Sequence, residues 1–223
     1  MAKRRPISTS KQWVKTKENR ELHDHYHALG ALHARWNVAE LQLQRICWFL
    51  IAAGPNVGRA VTNEMGNVSR TNLLVTLAQE VLKNSKLVTF FVGIEKLFNA
   101  NRDNRNFIMH CRVMYASNAV GQGLAIFQRF KADRQFRHAM YVMPIEELRR
   151  VADEIEAMNA FFARFFAFLE GSASDPAGAI DRLPSLGMPS SPQSLGQRLL
   201  SFDPAFRDPE PPSRGKRKSR PAM

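Results

Sequence analysis

The sequence predicts a mainly α protein, an antiparallel helical bundle of about five helices with a small β-hairpin before the last helix. Three observations carry that expectation. Apolar residues recur at helical spacing through most of the stretch from 29 to 169. The runs are separated by brief Gly-Pro, Gly or Ser signals, which suit short connections between packed helices. Only between Tyr115 and Met143 does the pattern change to one that suits paired strands.

Taken in order, Leu29, Leu32, Trp36, Ala39, Leu43, Ile46, Cys47 and Leu50 define a long first helix that stops at Gly54-Pro55. A short helix through Val57, Val61 and Met65 ends near Gly66, and Ser69 is placed to cap a helix carrying Leu73, Leu74, Leu77, Val81 and Leu82. Ser85 is placed to cap the next, whose apolar face runs through Phe90, Phe91, Ile94, Leu97 and Phe98. The helical pattern resumes at Phe107, Ile108, Cys111 and Met114, so this helix is expected to continue, whole or briefly broken, past 110. Turn residues from Ala119 to Gly123 precede the hairpin, with strands at Leu124 to Phe130 and His138 to Met143. Pro144 opens the last helix, and Glu146 and Glu147 in its first turn suit the positive end of the helix dipole. Leu148, Val151, Ile155, Met158, Phe162, Phe165, Phe166 and Leu169 supply its apolar face. Phe161 and Phe168 widen that face, which fits either a dense core or contact with a second subunit.

A chain of 223 residues and 25.3 kDa holds one domain with a sizeable core plus tails. The expected division is a basic flexible arm at 1–20, the helical domain at 21–171 and a disordered Pro/Ser/basic tail at 172–223. The formal charge of +12 points to a polyanionic partner, but it is unevenly spread. Residues 1–20 hold seven Lys or Arg against Glu18, and residues 172–223 hold eight against five acids, which leaves only +3 for the domain between them. The arm reads as a solvated tail, an RNA attachment or a transit peptide. The closing cluster from Arg214 to Arg220 reads as a nuclear localisation signal or an RNA-binding tail. No apolar run is long enough to span a membrane, and Cys47 and Cys111 sit in apolar helical contexts without a secretory signal. A soluble, cytoplasmic protein with reduced thiols is therefore expected.

His23, His25, His27 and His33 crowd the start of the first helix, yet no Cys or paired carboxylate joins them at ligand spacing. No metal or cofactor is expected there. Glu40, one turn past Trp36, is placed either to face Arg102 or Arg105 or to lie on the surface.

The stretch with most chemistry is Asn99 to His110, Asn-Ala-Asn-Arg-Asp-Asn-Arg-Asn-Phe-Ile-Met-His, a polar interruption of an apolar helix. A buried helix rarely tolerates so many polar groups unless they have partners. On a continuous helix Arg102, Asn106 and His110 stack at four-residue spacing, whereas Arg105, five positions before His110, points off that line.

The segment Arg105-Asn106-Phe107-Ile108-Met109-His110 resembles the signature of the HEPN superfamily: Arg, a polar residue, three variable positions and His. Where that family often has a small residue after the His, this chain has Cys111 and then Arg112. The resemblance implies a helical bundle and a metal-independent RNA endonuclease of the toxin, antiviral or RNA-processing kind. It also implies a homodimer that builds one composite site from two motif helices, and in a toxin system a neutralising antitoxin partner.

In that reading Arg105, Asn106 and His110 are catalytic. His110 removes the proton from a 2′-hydroxyl, its ordinary pKa of about 6.5 suiting proton exchange near neutrality. Arg105 grips the phosphate with its planar fork, and Asn106 orients the imidazole or holds the ribose. The products carry a 2′,3′-cyclic phosphate and a 5′-hydroxyl. Arg102, Arg112, Arg129 and Lys131 are the further candidate RNA-binding cations, although hairpin charges, Arg134 and Arg137 among them, also serve merely to keep edge strands soluble. Two competing readings stand beside this one: a non-catalytic interaction module that keeps the bundle, and a nucleic-acid binder acting through its basic tails.

Overall fold

The computed structural model describes residues 20, 22–52, 54–82, 84–117, 123–132, 136–172 and 182–202, without the side chains of 117, 123–124, 130–132, 136–138 and 200–202. Among the described residues, six α-helices and a three-stranded sheet make up the fold, as the sequence pattern leads one to expect of a mainly helical chain. The helices are α1 (His23–Ile51), α2 (Pro55–Thr62), α3 (Asn67–Leu77), α4 (Ser85–Met109), α5 (Ile145–Ser172) and α6 (Leu195–Phe202). A π-helical turn, Ala78–Leu82, prolongs α3, and a 3-10 turn, Leu183–Leu186, precedes α6. The strands β1 (Cys111–Ser117), β2 (Gly123–Ala132) and β3 (Phe136–Val142) form an antiparallel meander in that order.

The long helices bury one aromatic seam. On α1, Leu32, Trp36, Ala39, Leu43 and Ile46 are fully buried, and the helix lies mainly against α5. Trp36 meets Phe98 of α4 with ring centroids 4.9 Å apart, and Phe91 of α4 meets Phe165 of α5 edge-on at 5.4 Å. Phe161, Phe162 and Phe165 are all sealed inside this single chain. Each such ring contributes on the order of 2–3 kcal/mol on burial, so this seam is what holds α4 against α5.

Several boundaries differ from the sequence expectation for local reasons. Asn84, not Ser85, caps α4: its Oδ1 accepts from the backbone N–H groups of Lys86 and Leu87. The helix α3 starts at Asn67 after an extended Gly66, leaving Ser69 inside its first turn. More consequential, α4 does not run past 110. It stops at Met109 with His110 as its C-cap, and the next residue begins β1. Cys111, Val113 and Tyr115 alternate toward the core while Arg112 stands exposed, a period of two that puts Met114 on the face opposite Cys111 and so breaks the helical spacing. The expected hairpin is therefore the second half of a three-stranded sheet.

The stretch 172–223, read from sequence as tail, holds a packed segment. Leu183, Leu195 and Leu199 are buried, and α6 rests on α4. Arg198, 8% exposed, pairs with Glu147 at 3.2 Å and with Glu154, both on α5. Its Pro and Ser content masks these few apolar anchors. The basic arm at 1–19 and the cluster Arg214–Arg220 lie outside the described residues, as do the turn at 118–122 and Arg134.

Candidate functional site

Position along α4 decides which polar residues meet. Leu97, Asn101, Asn104 and Ile108 follow one another at four- and three-residue steps on the inner stripe, and all four are buried. Asp103, Asn106, Phe107 and His110 share the neighbouring stripe. They form one side of a cleft of about 380 Å³ at the C-terminal end of α4. Arg129 of β2 closes a second side, and Ser194 and Gly196, from the segment entering α6, close the third.

Asn104 assembles the third wall. Only 2% exposed, it donates from Nδ2 to the carbonyl of Gln193 at 2.9 Å and accepts at Oδ1 from the backbone N–H of Leu195 at 2.7 Å. One amide thus does for this strand-like segment what a neighbouring β-strand would do, satisfying a backbone donor and acceptor on either side of Ser194.

Among the sequence candidates, Asn106, His110 and Arg129 are brought together in the cleft. His110 is exposed, its backbone N–H bonded to the carbonyl of Asn106 at 3.2 Å. Arg129 pairs in the β1–β2 ladder with Cys111, the residue after His110, and its guanidinium carbon lies 4.8 Å from the centre of the Phe107 ring. Among the described residues no ion pair engages it.

Arg105 is not part of the lining. Half-buried, it turns toward α1, with its guanidinium carbon 5.8 Å from the centre of Trp36 and Nη1 donating to Oδ1 of Asn106 at 2.9 Å. Its Nε is closed off from solvent without a hydrogen-bond partner. Glu40 faces neither arginine through a direct bond; it accepts from Nε1 of Trp36 at 2.7 Å and Nδ2 of Asn67 at 2.6 Å, which fixes the indole under Arg105. Arg102 bonds Asn99 at 2.8 Å and Oδ1 of Asp103 at 2.9 Å, so the acid at the cleft edge has a cationic partner. Arg112 is exposed outside the cleft, and the side chain of Lys131 lies outside the description.

The thiol beside the site is not a nucleophile at neutral pH. Burial pushes Cys111 up to about 11, against the opposing pull of the Arg129 charge, and pushes Cys47 up to about 12. Among the described residues no three His, Cys, Asp or Glu side chains gather as a metal-ligand set. From the histidine-rich start of α1, His25 instead bonds the carbonyl of Met143 at 3.1 Å.

Sequence reading missed Asn104, Phe107 as the floor under Arg129, and the Ser194–Gly196 wall. The available signal was polar Asn101 and Asn104 on the core stripe of α4, since such residues need buried partners. Comparisons of the chain with models of known protein families, with curated proteins and with solved structures found no match. The HEPN resemblance accordingly rests on residues 105–110 alone.

Proposed function

We propose that this protein is a metal-independent RNA endonuclease of the toxin, antiviral or RNA-processing kind, with the cleft at the end of α4 as its active site. One observation supports this above the others: a solvent-open imidazole, a side-chain amide and a guanidinium that no ion pair engages among the described residues line the same cleft. Those are the groups that 2′-hydroxyl attack needs, a proton acceptor, a donor to the ribose or phosphate, and a fixed positive charge.

In the reaction, His110 takes the proton of the 2′-hydroxyl as the O2′–P bond forms. The P–O5′ bond then breaks, and the departing 5′-oxygen takes a proton from solvent, giving a 2′,3′-cyclic phosphate and a 5′-hydroxyl. Asn106 directs the ribose or phosphate, and an arginine offsets the charge of the phosphorane. A homodimer would bring two motif helices to one composite site at its two-fold axis, and an antitoxin would act by covering that site. No membrane partner enters this reading, and among the described residues no helix is long and apolar enough to cross a membrane.

A non-catalytic interaction module draws on a different observation: the motif arginine is committed to Asn106 and Trp36 inside the protein. Incubating the full chain and His110→Ala with total RNA in excess EDTA separates the two. The nuclease reading requires cleavage by wild type that the variant lacks. An inert wild type supports the module.

A further inference from the structure

We propose that Arg129, and not the motif arginine Arg105, is the cation that grips phosphate in the cleft, and that Arg105 is a positioning residue for Asn106. The assignment rests on the ribonuclease reading for the reaction it serves, although phosphate binding can be measured without any cleavage.

A guanidinium holds a phosphate through two adjacent N–H groups presented to the same side. Arg105 cannot present the edge that contains Nε, because that nitrogen is sealed from solvent, and its Nη1 is already committed to Asn106. Its guanidinium lies over Trp36, whose indole is held by Glu40, and it does not line the cleft. Arg129 differs on each count. It lines the cleft, and among the described residues no hydrogen bond or ion pair engages its N–H groups, its guanidinium carbon lying 4.8 Å from the centre of the Phe107 ring. Its backbone is locked in the ladder opposite Cys111, so a rigid strand carries the charge beside His110. Asp103, the one carboxylate that lines the cleft among the described residues, is paired with Arg102 through Oδ1.

The Arg105–Asn106 bond has its own consequence. Arginine has donors only, so the atom of Asn106 that meets it is the carbonyl oxygen. The NH₂ end of Asn106 is therefore left for the cleft. With Arg129 it places two donor groups in the cleft, an arrangement that suits an anion. Arg105 thus acts on the ligand through the orientation of one amide.

The test is a titration of inorganic phosphate into full-length protein, read from the imidazole signals of His110 and the side-chain NH₂ signals of Asn106 by NMR. Wild type, Arg129→Gln, Arg129→Lys, Arg105→Gln and Arg105→Lys are compared, with RNA cleavage measured on the same samples. Phosphate should move the His110 signals in wild type, and Arg129→Gln should weaken binding about tenfold or more, the loss of about one charge-assisted hydrogen bond. Arg129→Lys should recover only part of it, since the charge returns without the fork. Both Arg105 variants should shift the Asn106 signals before any phosphate is added, yet change phosphate affinity less than about threefold. Should Arg105→Gln not fold, Arg105→Lys carries that comparison. Wild-type signals that ignore phosphate, or a larger loss of affinity at Arg105 than at Arg129, would overturn the assignment. The expected phosphate pattern in a protein that cuts no RNA would leave the assignment standing and remove the ribonuclease reading; cleavage by Arg129→Gln at the wild-type rate would do the reverse.

Discussion

Replacing Asn104 with alanine should loosen the third wall of the cleft, and the size of the effect follows from two hydrogen bonds. The side chain is 2% exposed and serves the Gln193 carbonyl at 2.9 Å and the Leu195 N–H at 2.7 Å. Truncation removes both partners at once. A buried group left unpaired costs about 1–3 kcal/mol, and the Leu195 N–H, the more enclosed of the two, bears most of that. Water can reach the Gln193 carbonyl, so the expected total is about 2–4 kcal/mol rather than twice the upper figure. The segment 182–202 touches the bundle far less extensively than α1 and α5 touch each other, so the loss is expected chiefly as local opening. Exchange of the Leu195 amide with deuterated solvent should then quicken by about 30-fold to 1,000-fold, while amides in the α1–α5 core keep most of their protection. Asn104→Asp is a useful companion. Its carboxylate still accepts from Leu195 but meets the Gln193 carbonyl without a proton to share, so it should resemble the alanine variant at neutral pH. Leu195 exchange within about twofold of wild type in Asn104→Ala would refute the role assigned to this residue.

Gly58→Ala should destabilise the α1–α2 junction by about 1–3 kcal/mol in urea unfolding, because an added Cβ overlaps the Trp48 ring. That ring cannot swing aside without losing its bond to Thr62 at 3.0 Å, and an unchanged midpoint would contradict the packing described. Buried Cys47 and half-buried Cys111 set an alkaline limit. Their folded pKa values lie above the ordinary 9.0, so their contribution is intact below pH 9 and is lost as pH rises through about 11 for Cys111 and about 12 for Cys47. Stability followed from pH 8 to 11 should fall less steeply in Cys47→Ala than in wild type; parallel curves would show that Cys47 is not shielded as described.

How much was legible in the sequence depended on the strength of the local period. Trp36, Leu43, Phe91, Phe98, Ile155 and Phe165 sit in long runs where only a helix buries every apolar position, and the helical class follows from them. Around 108–115 the apolar residues offer both a helical and an alternating pattern, and β1 was hidden by that ambiguity until its pairing with β2 decided it. The segment 182–202 was obscured differently, since three buried leucines and Arg198 are too few to outweigh its Pro and Ser residues in composition. In the site, helical spacing related Asn106 to His110, and the stop at Met109 still left them in one cleft. Placing Arg129 there, and turning Arg105 toward Trp36, needed long-range contacts that no spacing along the chain encodes.

Chemistry at the 2′-hydroxyl tests the proposed function most directly. An RNA cut by the protein in EDTA would be mapped to its scissile nucleotide and resynthesised with a single 2′-deoxy substitution there. Cleavage at that bond should disappear, the unsubstituted RNA should end in a 2′,3′-cyclic phosphate, and His110→Ala should leave both RNAs intact while melting close to wild type, since the imidazole is exposed. Cutting that persists without the 2′-hydroxyl, products that end in a 3′-hydroxyl, or no cleavage by the wild-type chain would contradict the proposal.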